Sequence, residues 1–348
     1  MNENVNAHMK KYEHHFVHEH VHVHVPAGAG FVAFPWAHGS MQETKFSQRV
    51  WQPRKAFGLR HVLVLVLVLV ILTGLAQAQG LQGSTETQMI AAKPLSTDRP
   101  DQTEAAETVP AGWLQVETGA VMEQAGEDAD GVAGGRVWTL PGLLLRYGLT
   151  ERLELRLATA WVLEESEAAD ISAVVPPGTR KSITERGTEP LSIGMKYQFT
   201  RGTLPSIALI AMAALPSTVT GDFPANNPAA ELRLAIAGDV GDLFSLGCNL
   251  ALEHDLEESR SGLHYTAVVA TGLSESVGVF VELYGSRDTG DERFRHRADG
   301  GLTWLLAPDL QWDASVGVEL NPHDGQDRIS GRGWFVGTGI SWRFPLNP

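Results

Sequence analysis

The sequence predicts an all-β protein: an antiparallel transmembrane β-barrel of about 12 strands, preceded by a cleaved signal peptide and a short irregular segment. Three observations lead there. The stretch 333–344 reads GWFVGTGISWRF, with Trp334, Val336, Thr338, Ile340, Trp342 and Phe344 on one face and small residues plus Arg343 on the other. Period two over that length is a strand, because successive side chains point to opposite faces. Glycine weakens a strand, so a glycine-rich face suits a lumen better than the wet side of a soluble sandwich. Second, the gaps between such stretches alternate short and long, as periplasmic turns and outer loops do. Third, the longest apolar run, Val62–Leu72, has 11 residues, fewer than a membrane-spanning helix needs.

The chain opens on an extension, residues 1–57, which reads as non-native or disordered. Met1–His61 holds nine of the 13 histidines, including the run HHFVHEHVHVHV. Neutral imidazoles bind zinc, copper or nickel, but the tract lies upstream of a secretion signal and Met41 offers an internal start, so it is not read as a metal site. Residues 58–78 form that signal: Arg60, with Arg54 and Lys55 just ahead of it, supplies positive charge, Val62–Leu72 the apolar core, and Gly74-Leu75-Ala76-Gln77-Ala78 a small-x-small cleavage pattern.

Residues 79–111 are polar and irregular. They read either as a small plug folded into the periplasmic mouth, with Asp98, Arg99 and Asp101 as its candidate residues, or as a disordered linker. Thr97-Asp98-Arg99-Pro100-Asp101-Gln102-Thr103-Glu104, with Pro110-Ala111-Gly112 and Gln115–Gly119 behind it, resembles the opening of the outer-membrane family named after the meta-cleavage pathway of phenol degradation. Leu145–Arg156 and Leu191–Tyr197 are similar to later stretches of that family. The family often has Gly-x-x-Asp before the last of these; here Gly187-Thr188-Glu189-Pro190 stands there. The resemblance covers about residues 95–344 and implies a barrel, an outer-membrane location and a transporter activity.

The barrel itself is expected over 112–344. Its strands are read at about 112–122, 137–147, 152–162, 191–199, 206–215, 230–238, 243–253, 263–273, 277–285, 298–306 and 310–320, closed by the last one. In 152–162, Leu153, Leu155, Leu157, Thr159 and Trp161 alternate with Glu154, Arg156, Ala158 and Ala160. The stretch 206–215 is apolar nearly throughout and is ambiguous with a helix. Tyr147, Tyr197, Phe199, Phe244, Trp304, Trp312, Trp342 and Phe344 fall near the short turns, and Trp161, Tyr265 and Trp334 near the long loops, which implies two aromatic girdles. Counting outward from the turn at Pro308 pairs Leu306 with Leu310, Leu305 with Gln311, Trp304 with Trp312 and Thr303 with Asp313. Arg146 and Glu154 are expected to face each other across the first short turn.

The site chemistry is sparse. One cysteine, Cys248, excludes an internal disulfide and a cysteine-based zinc cluster. His254, His264, His296 and His323 lack metal-ligand spacing. Ser261, His264 and Glu257 are the nearest approach to a hydrolase set, without a nucleophile elbow. No phosphate- or dinucleotide-binding glycine pattern occurs, so no catalytic, cofactor or metal residue is assigned. A net charge of −14 argues against nucleic acid.

The informative residues are charges on the inward face: Glu117, Arg146, Glu154, Arg156, Lys196, Glu231, Arg233, Glu282, Asp313, Glu319 and Arg343. Facing lipid at mid-bilayer, an Arg or Lys would cost about 2–4 kcal/mol, so these are candidate lumen-lining groups. The expected function is an outer-membrane channel for small solutes, hydrophobic or aromatic ones included, by passive diffusion. The expected partners are outer-membrane lipid, a small-molecule solute and, through the C-terminal strand, the outer-membrane assembly machinery. A non-conducting structural or adhesion barrel and a barrel hydrolase stand as alternatives.

Overall fold

The computed structural model describes residues 95–126, 134–169, 180–201, 205–223, 227–241, 243–257, 259–289, 294–320 and 332–346. The histidine-rich extension, the signal segment, residues 79–94 and His323 lie outside them. Fourteen strands occur among the described residues: β1 (Trp113–Gln124), β2 (Arg136–Gly148), β3 (Leu153–Ala169), β4 (Arg180–Thr188), β5 (Leu191–Gln198), β6 (Ser206–Leu215), β7 (Thr220–Gly221), β8 (Ala229–Val240), β9 (Phe244–Asp255), β10 (Ser261–Gly272), β11 (Val277–Asp288), β12 (Arg295–Ala307), β13 (Leu310–Glu319) and β14 (Trp334–Pro345).

Twelve of them form a ring. Each pairs antiparallel with its neighbours in the order β1, β2, β3, β5, β6, β8, β9, β10, β11, β12, β13 and β14. β14 closes onto β1 in unbroken register from Trp113↔Pro345 to Gln124↔Trp334. Closure leaves no open edge, so backbone N–H and C=O groups find partners between strands, as a bilayer requires.

Burial is inverted relative to a soluble protein. The largest fully buried side chains are Arg146, Lys196, Ile210, Gln115, Glu117, Glu154, Asp313 and Ser341, whereas Leu250, Val281, Trp304, Val316, Ile340 and Trp342 are exposed. Charged residues are almost never fully buried in soluble folds unless paired. A polar inside within an apolar belt is the pattern of a barrel in lipid. β14 shows it residue by residue: Trp334, Val336, Thr338, Ile340 and Trp342 face out, and Phe335, Gly337, Gly339, Ser341 and Arg343 face in.

Several expectations need correction. The loop at 163–189 is partly strand: β3 runs on to Ala169, and β4 returns beside it from Trp161↔Thr188 upward. Below that point β3 pairs with β5 instead. β4 and β5 are thus one return path broken at Glu189-Pro190, where proline has no N–H to donate. The hairpin carries Glu164, Glu165 and Glu185 beyond the apolar band, so apolar alternation could not reveal it. The strands also extend at their long-loop ends, leaving only 256–260 between β9 and β10 and 289–294 between β11 and β12.

The Trp304↔Trp312, Thr303↔Asp313 and Leu305↔Gln311 pairs form as expected, but a bulge at Leu306 makes Leu310 pair with Ala307. The ambiguous 206–215 is a strand, β6. Its outer face meets lipid, and its inner Ala208, Ile210 and Met212 pack on Ala106, Leu144, Ala158 and Ala235. Both faces are therefore apolar for different reasons.

Candidate functional site

Ahead of β1, residues 97–109 enter the ring. Their partners come from strands all the way round it, which places the segment inside the lumen. Glu104 spans the interior: its carboxylate meets Arg156 on β3 at 2.8 Å, while its N–H donates to Asn249 on β9 at 2.7 Å. The Gln102 N–H donates to Glu282 on β11, and its carbonyl accepts from Arg233 on β8. Thr103 and Thr266 on β10 share a hydrogen bond at 2.6 Å. The Val109 N–H donates to Glu154 at 2.9 Å.

Asp98 is the centre of charge. Its carboxylate lies 2.7 Å from Arg156, 3.1 Å from Lys196 and 3.3 Å from Arg146. Its N–H donates to Glu117. Arg146 in turn holds Glu117 at 2.9 Å and Glu154 at 2.8 Å. Arg146 stands opposite Arg156 in register, and Glu154 opposite Gly148, so the Arg146–Glu154 pair is diagonal across the ladder. Burial opposes the Asp98 charge, but Arg146, Lys196 and Arg156 outweigh it and hold the carboxyl well below the usual range. Lys196 donates its remaining bond to the Ala105 carbonyl at 2.7 Å. Alternating buried cations and anions satisfy one another, as buried charge requires.

Arg99 points the other way, to Asp313 on β13 at 2.9 Å. Its guanidinium lies over Gly119 and Gly339, a cross-strand pair, and a Cβ on either glycine would collide with it. Gly119 of β1 and Gly339 of β14 are thus the floor on which the Arg99 guanidinium rests. Asp101 sits beside Glu282 and Asp299; burial first, then those carboxyls, push it well above the usual carboxylate range.

Among the other inward charges, Arg233 pairs with Glu231 at 2.9 Å. Glu319 shares Arg297 with Glu123. Arg343 pairs with Asp309 at the short-turn end. The inward-charge reading passed over Glu104, Glu123, Arg297 and Asp299. Period two would have found Asp299, since it shares the inward face of β12 with Thr303. Glu123 and Arg297 lie in strand ends that apolar alternation did not reach, and nothing local marks Glu104 as a bridge.

The histidines near the long loops go elsewhere. Ser261 meets His254 Nδ1 at 2.9 Å, not His264. His264 lies 3.3 Å from Glu253. Among the described residues no bond joins Glu257 to Ser261 or His254, so the imagined hydrolase set does not assemble.

A closed twelve-stranded ring with an apolar outer belt, and a charged lumen bonded to the preceding segment, defines an outer-membrane β-barrel of the bacterial cell. The profile of the family described as "Putative MetA-pathway of phenol degradation" matches residues 97–344, and the chain belongs to that family. The match begins at the segment inside the ring and ends on the closing strand. No curated protein matches the chain. Among solved structures it is similar to an outer-membrane channel from Pseudomonas putida F1, at 13% identity and TM-score 0.45, over 69% of this chain and 98% of that one. It is also similar to the KdgM porin, at 12% identity and TM-score 0.41, over 66% and 99%. The CymD monoaromatic hydrocarbon channel follows at 9% identity and TM-score 0.38, over 69% and 90%.

Proposed function

We propose that the protein is an outer-membrane channel for small solutes, hydrophobic or aromatic ones included, crossed by passive diffusion, and that residues 97–109 are its plug. The observation that carries this reading is the lumen wall. It is polar and bonded to a separate segment, where a purely structural barrel could fill itself with apolar side chains. The contacts of Glu104 and of the Asp98–Arg99 pair cross the lumen, so passage requires the segment to shift. The inward charges Glu117, Arg146, Glu154, Arg156, Lys196, Glu231, Arg233, Glu282, Asp313, Glu319 and Arg343 then line the path that opens. In this reading the chain has no enzymatic role. Residues 58–78 are removed as a signal after Ala78, and β14, with its aromatic end, is what the assembly machinery reads.

The same spanning contacts favour a second reading, a non-conducting barrel whose plug is permanent. Planar-bilayer recording of the refolded protein separates the two. The channel reading expects discrete openings and, in proteoliposomes, uptake of phenol, the compound in the family's description. A silent bilayer with correctly folded protein would leave the structural barrel.

A further inference from the structure

One carboxyl in the lumen has no cation beside it. Asp299 is 7% exposed, and among the described residues its carboxyl meets no cation; its near neighbours are the carboxyls of Glu282 and Asp101. It stands directly across the ladder from Glu282. Like charges in that position are destabilising, and an unpaired buried carboxylate is costly. Glu282 is occupied by the plug, through Gln102 and Thr103. Arg297, two residues along β12, bonds to Glu123 at 2.6 Å and Glu319 at 3.0 Å.

A second polar group meets the same place. Tyr284, also 7% exposed, has a hydroxyl without a hydrogen-bond partner, within electrostatic reach of Asp299, Glu282, Arg297 and Glu123. Asp101 of the preceding segment lies beside both carboxyls, and the rest of the surround is aromatic. In register order Asp299 is followed by Gly317 and then Phe335. The Phe335 ring covers Gly317, where an added Cβ would also lie 2.8 Å from Asp299 Cβ. On the other side the Phe280 ring covers Gly301, two residues from Asp299 on its own strand. Anionic oxygens, a phenol and two phenyl rings on a glycine floor are the surroundings of an organic cation, which gains both charge pairing and cation–π attraction. A divalent metal wants about six oxygens, and rings and glycines cannot supply them.

We propose that Asp299, Glu282, Tyr284, Phe280 and Phe335 form a lumen subsite for small organic ammonium solutes, beside Gln102 and Thr103. It rests on the channel reading for its purpose, but its test is a binding measurement that needs no conduction. The full-length protein in detergent is titrated calorimetrically with benzyltrimethylammonium chloride. Neopentylbenzene, its neutral isostere, and calcium chloride serve as comparisons, and the Asp299→Asn and Phe335→Leu variants accompany the wild type. Saturable binding of the ammonium alone is expected, weakened about tenfold or more by Asp299→Asn and about threefold by Phe335→Leu. Equal binding of the neutral isostere, or ammonium binding untouched by Asp299→Asn, would overturn it. Asp299-dependent calcium binding without ammonium binding would replace it with a metal site. An absence of any binding, with an infrared carboxylic-acid band that Asp299→Asn removes, would mean that a proton fills the gap. Each of these leaves the bilayer recording unaffected, so failure of the subsite and failure of the channel are told apart.

Discussion

Replacing Asp98 by asparagine should free the plug. The side chain keeps its shape and loses the charge that Arg156, Lys196 and Arg146 share at 2.7, 3.1 and 3.3 Å. Removing one member of a buried ion pair typically costs about 3–5 kcal/mol. Arg146 and Arg156 both retain Glu154, at 2.8 and 3.1 Å, so they are not stranded. Lys196 is left with the Ala105 carbonyl, itself part of the plug. The lower end, about 3 kcal/mol, therefore applies, and at about 1.4 kcal/mol per decade it moves the seated-to-released ratio about a hundredfold. Two readouts follow it. A cysteine at Thr103, in a Cys248→Ser background, should react with a membrane-impermeant maleimide far faster in the Asp98→Asn protein. Bilayer recordings should show a matching rise in open time. Unchanged labelling and unchanged open time in a folded Asp98→Asn barrel would refute the claim that this carboxylate holds the plug.

Gly339→Ala should loosen the plug from the opposite side, because its Cβ displaces the Arg99 guanidinium from Asp313. The effect should vanish in an Arg99→Ala background, which a double-mutant cycle on the same labelling assay measures. Single-Trp variants retaining Trp304 or Trp312 should both be quenched by brominated lipid at shallow depth, since the pair stands side by side on β12 and β13; no quenching at either would contradict the outward face. N-terminal sequencing of the outer-membrane fraction should begin at Gln79, and a retained histidine tract would refute cleavage after Ala78.

The barrel was legible because lipid imposes a simple rule. Every strand must show an apolar face, and period two exposes it in β3, β5 and β14 without tertiary knowledge. The rule stops where lipid stops. β4 and the upper part of β3 carry glutamates at half-buried positions beyond the apolar band, so nothing periodic announced them. The bulge at Leu306 arises beside the Pro308 turn, and a residue count cannot see it. Inward charge was legible as a sign but not as a network. Parity put Arg146, Arg156 and Lys196 in the lumen, yet their shared partner Asp98 lies about a hundred residues before Lys196, in a segment with no periodicity. Such bridges are set by chain path, which local pattern does not encode. The glycines of β14 had a reading as lumen residues, but their role as the seat of Arg99 needs the position of the plug.

In the proposed channel, residues 97–109 control passage through the lumen. The most direct test is a disulfide between cysteines at Thr103 and Thr266, whose hydroxyls are 2.6 Å apart, in a Cys248→Ser background. With the bridge formed, as shown by mass or gel shift, planar bilayers should record a closed barrel. Adding reductant to the same bilayer should restore openings to the level of the Cys248→Ser parent. Equal conductance before and after reduction would contradict the account, because solutes would then pass a plug that cannot move.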